Sequence, residues 1–183
     1  MTTPPAGITE DQAEWIARNL AFLGEPTRET VRVAGRAIAA RFQQARFAKV
    51  GVGLEGAGVP IDLLDDALSP GSEADRTFRR LTVLIAGRVA EGIIFGDVVG
   101  TTAEALADDE AEIERVGLAF RDRDGTYPDY FATAPEVARK FFQQSPQSVV
   151  AVRVVAKAIE LYDRLDYDDV ERLTLEAFRQ GDK

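Results

Sequence analysis

Apolar residues recur at helical intervals along most of this 183-residue chain, and several of these stretches follow a residue suited to cap a helix. Thr9 to Gln12 has the spacing of a capping box, and Gly24 and Pro26 end the first periodic stretch. Thr27 is a second candidate N-cap, ahead of a longer helix that we expect to form the centre and to run to about Phe47. The pattern predicts a mainly α fold.

More helices are predicted downstream. Ser72 is a suitable cap for a helix that ends at Phe95 and Gly96, and residues 103–120 repeat the apolar pattern. Residues 121–134 carry few periodic apolar positions and are expected to form a loop. Three residues mark the starts of the remaining helices: Pro135, Pro146 and Asp166.

One stretch departs from the helical pattern. Residues 49–61, KVGVGLEGAGVPI, place Val and Leu among glycines and predict a short β-hairpin or extended patch. The chain length suits a single globular unit. Within it we expect an N-terminal segment with a helix at residues 1–27 and a helical domain at residues 28–183.

The composition excludes several classes of protein. The chain has no cysteine and no histidine, which removes disulfides, thiolate nucleophiles and the commonest general base and metal ligand. A net charge of −9 argues against a nucleic-acid partner. The chain begins without a signal-peptide pattern, and no apolar run approaches the roughly 20 residues that span a bilayer. We therefore expect a cytoplasmic protein without a membrane partner.

Residues 84–98, LIAGRVAEGIIFGDV, resemble a family signature. They are similar to the G-G-R-x-A-E-E-x-I-F-G-x-V segment of the FtsH-type ATP-dependent zinc metalloproteases, peptidase family M41. The predicted order also resembles that family, with a helix at 28–47, an extended patch at 50–61 and a helix from about 103. The resemblance implies a helical M41-like fold over roughly residues 28–178. The matching residues are Gly87, Arg88, Ala90, Glu91, Ile94, Phe95, Gly96 and Val98.

The chain departs from the family at the zinc motif. Where the family has H-E-A-G-H-A, this sequence has Arg32-Val33-Ala34-Gly35-Arg36-Ala37. Two histidines four residues apart on a helix reach one metal, and the glutamate between them activates its water. Arginine cannot be deprotonated in proteins and repels a cation. The third ligand position falls on Ala105, or on Glu104 with a one-residue slip. The chain also has no phosphate-binding loop of an ATPase module. We expect no metal and no cofactor.

Two functions follow from these departures. The first is a pseudopeptidase that binds a protein or peptide partner without cutting it. The alternative is a repurposed scaffold in which Arg32 and Arg36 bind an anionic small molecule, for example in a biosynthetic pathway. Whether the chain catalyses any reaction stays open, with Glu91 and Glu104 as candidate acid–base groups.

Simpler roles are also open for these residues. Arg32 and Arg36 can form surface ion pairs, or an internal network with a carboxylate, for which Glu91, Glu104, Asp108 and Asp109 are candidates. Tyr127 and Tyr130 either cover a ligand as part of a lid or anchor their loop to the core. A homo-oligomer is possible, because the proteases that this chain resembles form hexamers.

Overall fold

A computed structural model describes residues 7–52, 61–63, 73–96 and 130–181. Seven helices and three short strands lie in these ranges, so the prediction of a mainly α chain is confirmed. The helices are α1 (Glu10–Arg18), α2 (Leu20–Leu23), α3 (Arg28–Phe42), α4 (Glu73–Phe95), α5 (Tyr130–Gln144), α6 (Pro146–Tyr162) and α7 (Tyr167–Gly181). The strands are β1 (Phe47–Gly51), β2 (Ile61–Leu63) and β3 (Arg164–Leu165).

Three of the capping residues predicted from the sequence start their helices, whereas Ser72 lies outside the described residues. Thr9 and Gln12 form a reciprocal capping box, in which each side chain accepts the backbone N–H of the other. The Thr27 hydroxyl accepts the N–H of Thr30 at the start of α3. Asp166 accepts the N–H of Asp169 at 2.8 Å at the start of α7. Local hydrogen-bonding chemistry therefore fixes these three helix starts.

Two predicted helix ends are wrong. The first helix does not run unbroken to Leu23, because it stops at Asn19, whose side-chain amide donates to the Trp15 carbonyl at 2.7 Å. The central helix ends at Phe42 rather than near Phe47, because Gln44 has a left-handed φ of 57° that turns the chain out of the helix. Phe47 instead begins β1, where its side chain is buried.

The predicted loop at residues 121–134 is wrong at its end, and so is the placement of Pro135 in the first turn of a helix. Residues 121–129, like the helix predicted at 103–120, lie outside the described residues. Residues 130–134 are helical, and Pro135 lies inside α5. A proline there removes one backbone hydrogen bond. Ala134, Ala138 and Phe142 are all buried at four-residue intervals, and their packing offsets that loss.

The extended patch is part of a small antiparallel sheet with the strand order β2-β1-β3. Phe47 pairs with Leu63 and Val50 with Ile61, so β1 and β2 form the two arms of the predicted hairpin. Residues 53–60 lie outside the described residues. β3 was not predicted; its Leu165 pairs with Val50 on the other edge of β1.

The α3 helix lies at the centre of the protein, as its apolar pattern predicted. Every residue from Thr30 to Ala40 is buried, and α3 packs against α4, α6 and α7. α1 packs mainly on α7, and its Ile16 belongs to the same hydrophobic cluster as Ile38 of α3. Among the described helices, none has both the length and the apolar character needed to cross a membrane.

Candidate functional site between helices α3 and α4

The α3 and α4 backbones approach closely at two glycines. A Cβ atom at Gly87 would lie 2.5 Å from the Arg32 carbonyl oxygen, and one at Gly35 would lie 2.6 Å from the Cβ of Ala90. Real Cβ atoms do not approach other atoms so closely, so both positions need glycine. Gly87 and Ala90 belong to the segment that resembles the M41 signature. In this protein they let α4 pack tightly against α3.

Glu91 follows this contact and places a carboxylate in the interface. Its side chain is fully buried, and its Oε2 lies 3.7 Å from Nε of Arg32, which is only 7% exposed. Its Oε1 lies 3.4 Å from Nη1 of Arg28. Arg28 and Arg32 are four residues apart and so lie on the same face of α3. The Arg32–Glu91 pairing, one of the internal networks that the sequence left open, is present.

Arg28 forms the solvent-facing edge of this cluster. Its side chain is 31% exposed, whereas that of Glu91 is fully buried. The guanidinium carbon of Arg28 also lies 4.8 Å from the centre of the Phe95 ring. Such a position over an aromatic face is favourable for a cation. Two residues one helical turn apart on α4, Glu91 and Phe95, therefore both contact the guanidinium of Arg28.

Arg36 lies deeper in the same interface. It is 1% exposed, and its Nε donates to the Leu84 carbonyl oxygen of α4 at 3.4 Å. A Cβ atom at Gly87 would also crowd the Cγ of Arg36. The side chains of Arg32 and Arg36 thus both contact α4 rather than extending into solvent. The surface-ion-pair reading of these two arginines does not fit their burial.

The residues at these positions do not fit a zinc ion. The M41 resemblance would place two histidine ligands at Arg32 and Arg36 and a catalytic glutamate at Val33. Guanidinium groups cannot bind a cation, and the Val33 side chain is apolar and buried. Elsewhere in the described ranges, no cluster of three or more His, Cys, Asp or Glu side chains is arranged to hold a metal.

The structure does not place the other predicted site residues in this cluster. Glu104, Asp108, Asp109 and Tyr127 lie outside the described residues, so their assigned roles stay predictions. Tyr130 is the first residue of α5. Its predicted place in a loop is therefore wrong, because the helix begins before Pro135.

A second polar cluster, which the sequence did not indicate, holds the start of α3. Glu160 of α6 accepts the N–H of Thr27 at 2.7 Å and the hydroxyl of Thr30 at 3.0 Å. Lys157 donates to the other carboxylate oxygen at 2.7 Å. Burial raises the pKa of Glu160, but the hydrogen bonds from Lys157, Thr27 and Thr30 outweigh it and lower the pKa overall. This cluster fixes the end of α3 that carries Arg28.

Glu160 could not be found from the sequence, because it lies far along the chain from Thr27 and follows no local motif. Comparison with protein-family models gives no match to this chain, and comparison with curated proteins gives none either. The resemblance to M41 peptidases therefore stays a prediction that depends on residues 84–98 and on the order of the elements.

Proposed function

We propose that this protein is a catalytically inactive M41-like protein, a pseudopeptidase, that binds a protein or peptide partner without zinc-dependent cleavage. The observation that carries the proposal is the burial of Arg32 against Glu91. A zinc peptidase needs metal ligands and a base on this face of the helix. Here the same face holds ion pairs within the protein.

The geometry of the arginines favours a structural role over hydrolysis. A buried charge is stable only with a partner, and Arg32 has a buried carboxylate within 3.7 Å. Arg36 donates to a carbonyl oxygen of α4. Arg32 and Arg36, which align with the zinc ligands of the family that the chain resembles, thus help to join α3 to α4. This supports an M41-like helical scaffold without a zinc site.

Exposed aromatic residues support a protein or peptide as the partner. Phe22 of α2 is 85% exposed, and Trp15 of α1 is about half exposed. Aromatic side chains are enriched in protein interfaces, where they contribute much of the binding energy. These two residues lie in consecutive helices, and we assign them to the contact with the partner.

The test uses fluorescein-labelled β-casein, a largely unfolded protein, as the probe. Fluorescence anisotropy measures binding, and gel electrophoresis of the same samples measures cleavage, each with added zinc and with EDTA. We expect zinc-independent binding and intact casein. A Trp15→Ser/Phe22→Ser variant should bind at least 10-fold more weakly, whereas Leu161→Ser, which changes a similarly exposed residue of α6, should bind normally. Zinc-dependent cleavage, or no binding, would overturn the proposal.

The alternative is a scaffold that binds an anionic small molecule, and the partial exposure of Arg28 favours it. This guanidinium gives the buried cluster a positively charged edge that solvent reaches. Native mass spectrometry of the purified protein in citrate or phosphate distinguishes the two functions. A bound anion that Arg28→Ala removes would support the alternative, and a ligand-free mass in both proteins would count against it.

A further inference from the structure

The residues before α1 are attached to α7 through both backbone polar groups of Ile8. The Ile8 N–H donates to Oδ1 of Asp169 at 2.6 Å, and the guanidinium of Arg172 donates to the Ile8 carbonyl oxygen. A Cβ atom at Gly7 would lie 2.7 Å from the same Oδ1 atom, so the chain passes directly over the carboxylate. Two residues of one helical turn thus hold this segment.

Asp169 is a buried carboxylate that also contacts polar groups of the first turns of α7. Its Oδ2 accepts the N–H of Asp166 at 3.2 Å, and Arg172 Nη1 lies 3.5 Å from its Oδ1. Burial raises the pKa of Asp169, against the effect of the hydrogen bonds from Asp166 and Ile8. The carboxylate therefore loses hydration when the N-terminal segment covers it, and opening would restore that hydration.

The apolar attachment of α1 is small by comparison. Its buried residues are Ala13, Ile16 and Ala17, and Ile8 just before it is also buried, so the segment has two large buried side chains. A helix of nine residues is too short to be stable by itself in water. α6, in contrast, is buried almost continuously from Ala151 to Ile159. The polar contact at Asp169 is therefore an important part of the attachment of α1.

The other end of the segment has a pivot. Gly24 has a φ of 76°, in the left-handed region that favours glycine. The next residue, Glu25, is fixed to α6, because its carboxylate accepts from Arg153 at 2.9 Å and its carbonyl oxygen from Lys157 at 3.1 Å. The chain is therefore held firmly after Gly24 and, before α1, at Ile8.

We propose that residues 7–23 form a strap that opens as a unit, pivots at Gly24 and is latched by Asp169. Opening detaches α1 from α7 while α3, α4 and α6 stay folded. The strap carries Trp15 and Phe22, which we assign to the partner. The inference does not rest on that function, since it is argued only from how the N-terminal helices are attached.

Hydrogen exchange of the full chain, read by mass spectrometry of peptide fragments, tests the strap. In the unmodified protein, the amides of α1 should exchange at least 10-fold faster than those of α6. Asp169→Ala should speed exchange in α1 by a further 10-fold or more without changing α6. Gly7→Ala, which crowds the carboxylate and leaves the Asp166–Asp169 cap of α7 in place, should act in the same direction. Asp168→Asn, which removes a neighbouring exposed charge, should have no effect.

Equal exchange rates in α1 and α6 of the unmodified protein would overturn the proposal. So would an equal acceleration of both helices in Asp169→Ala and Gly7→Ala, because the segment would then unfold only together with the whole protein. Unchanged exchange of α1 in both variants would overturn the role of Asp169 as the latch.

Discussion

Glu91→Gln is the sharpest perturbation of the α3–α4 cluster, because it removes a charge while keeping the side-chain shape. Arg32 is 7% exposed and would be left with a buried positive charge opposite a neutral amide. Removing one partner of a buried ion pair costs about 3–5 kcal/mol. The contact with Arg28 adds little, because its guanidinium is partly exposed. We therefore expect the free energy of unfolding to fall by about 3–5 kcal/mol.

Urea unfolding followed by circular dichroism measures this change, with Glu14→Gln as the matched control. Glu14 pairs with Arg18 within α1, but both side chains are well exposed, so the control should cost about 0.5 kcal/mol or less. Arg32→Met/Glu91→Leu replaces the charges by apolar groups and should recover most of the loss. If Glu91→Gln cost no more than the control, the ion pair would not stabilise the interface and our reasoning would be wrong.

Three further changes test other parts of the structure. Gly87→Ala should lower the free energy of unfolding in urea by about 1–3 kcal/mol, because the added Cβ meets the Arg32 carbonyl oxygen. Gly92→Ala, in the same helix but with open space around it, should not destabilise the protein. Equal effects of the two substitutions would contradict the close approach of α3 and α4. Thr9→Ala should lower stability by about 1 kcal/mol through loss of the capping box, and an unchanged midpoint would exclude that contribution. The ionised Glu160 stabilises the fold above the unfolded-state pKa of 4.5, and this contribution is lost as the pH falls through the lower folded-state pKa. The difference in stability between the unmodified protein and Glu160→Gln should therefore shrink below pH 4.5. A difference that stays constant with pH would contradict this role of Glu160.

Three helix starts could be predicted from the sequence, because a cap is a local hydrogen bond between neighbouring residues. The start of α5 could not, because Pro135 indicated a later start than Tyr130. Thr9, Thr27 and Asp166 each accept an N–H from three residues further along. Helix ends were harder to place. The end of α3 depends on the left-handed turn at Gln44, and apolar residues continue to Phe47 in β1 with a spacing that also suits a helix.

Contacts between distant segments limited the prediction of the site. The sequence left an internal pairing of Arg32 open beside surface ion pairs and a bound anion, with Glu91 as one of four candidate partners. The position of Arg28 over Phe95 and the bond from Thr27 to Glu160 depend on how the helices pack. β3, with only two residues, pairs with β1 across the chain and carries no periodic pattern of its own.

The most direct test of the central claim is native mass spectrometry of the full chain with zinc and β-casein, followed by analysis of the casein for cleavage. Our account predicts a protein mass without bound zinc and intact casein in every sample, since Arg32, Val33 and Arg36 supply neither ligand nor base. One zinc ion per chain together with zinc-dependent casein fragments would contradict it.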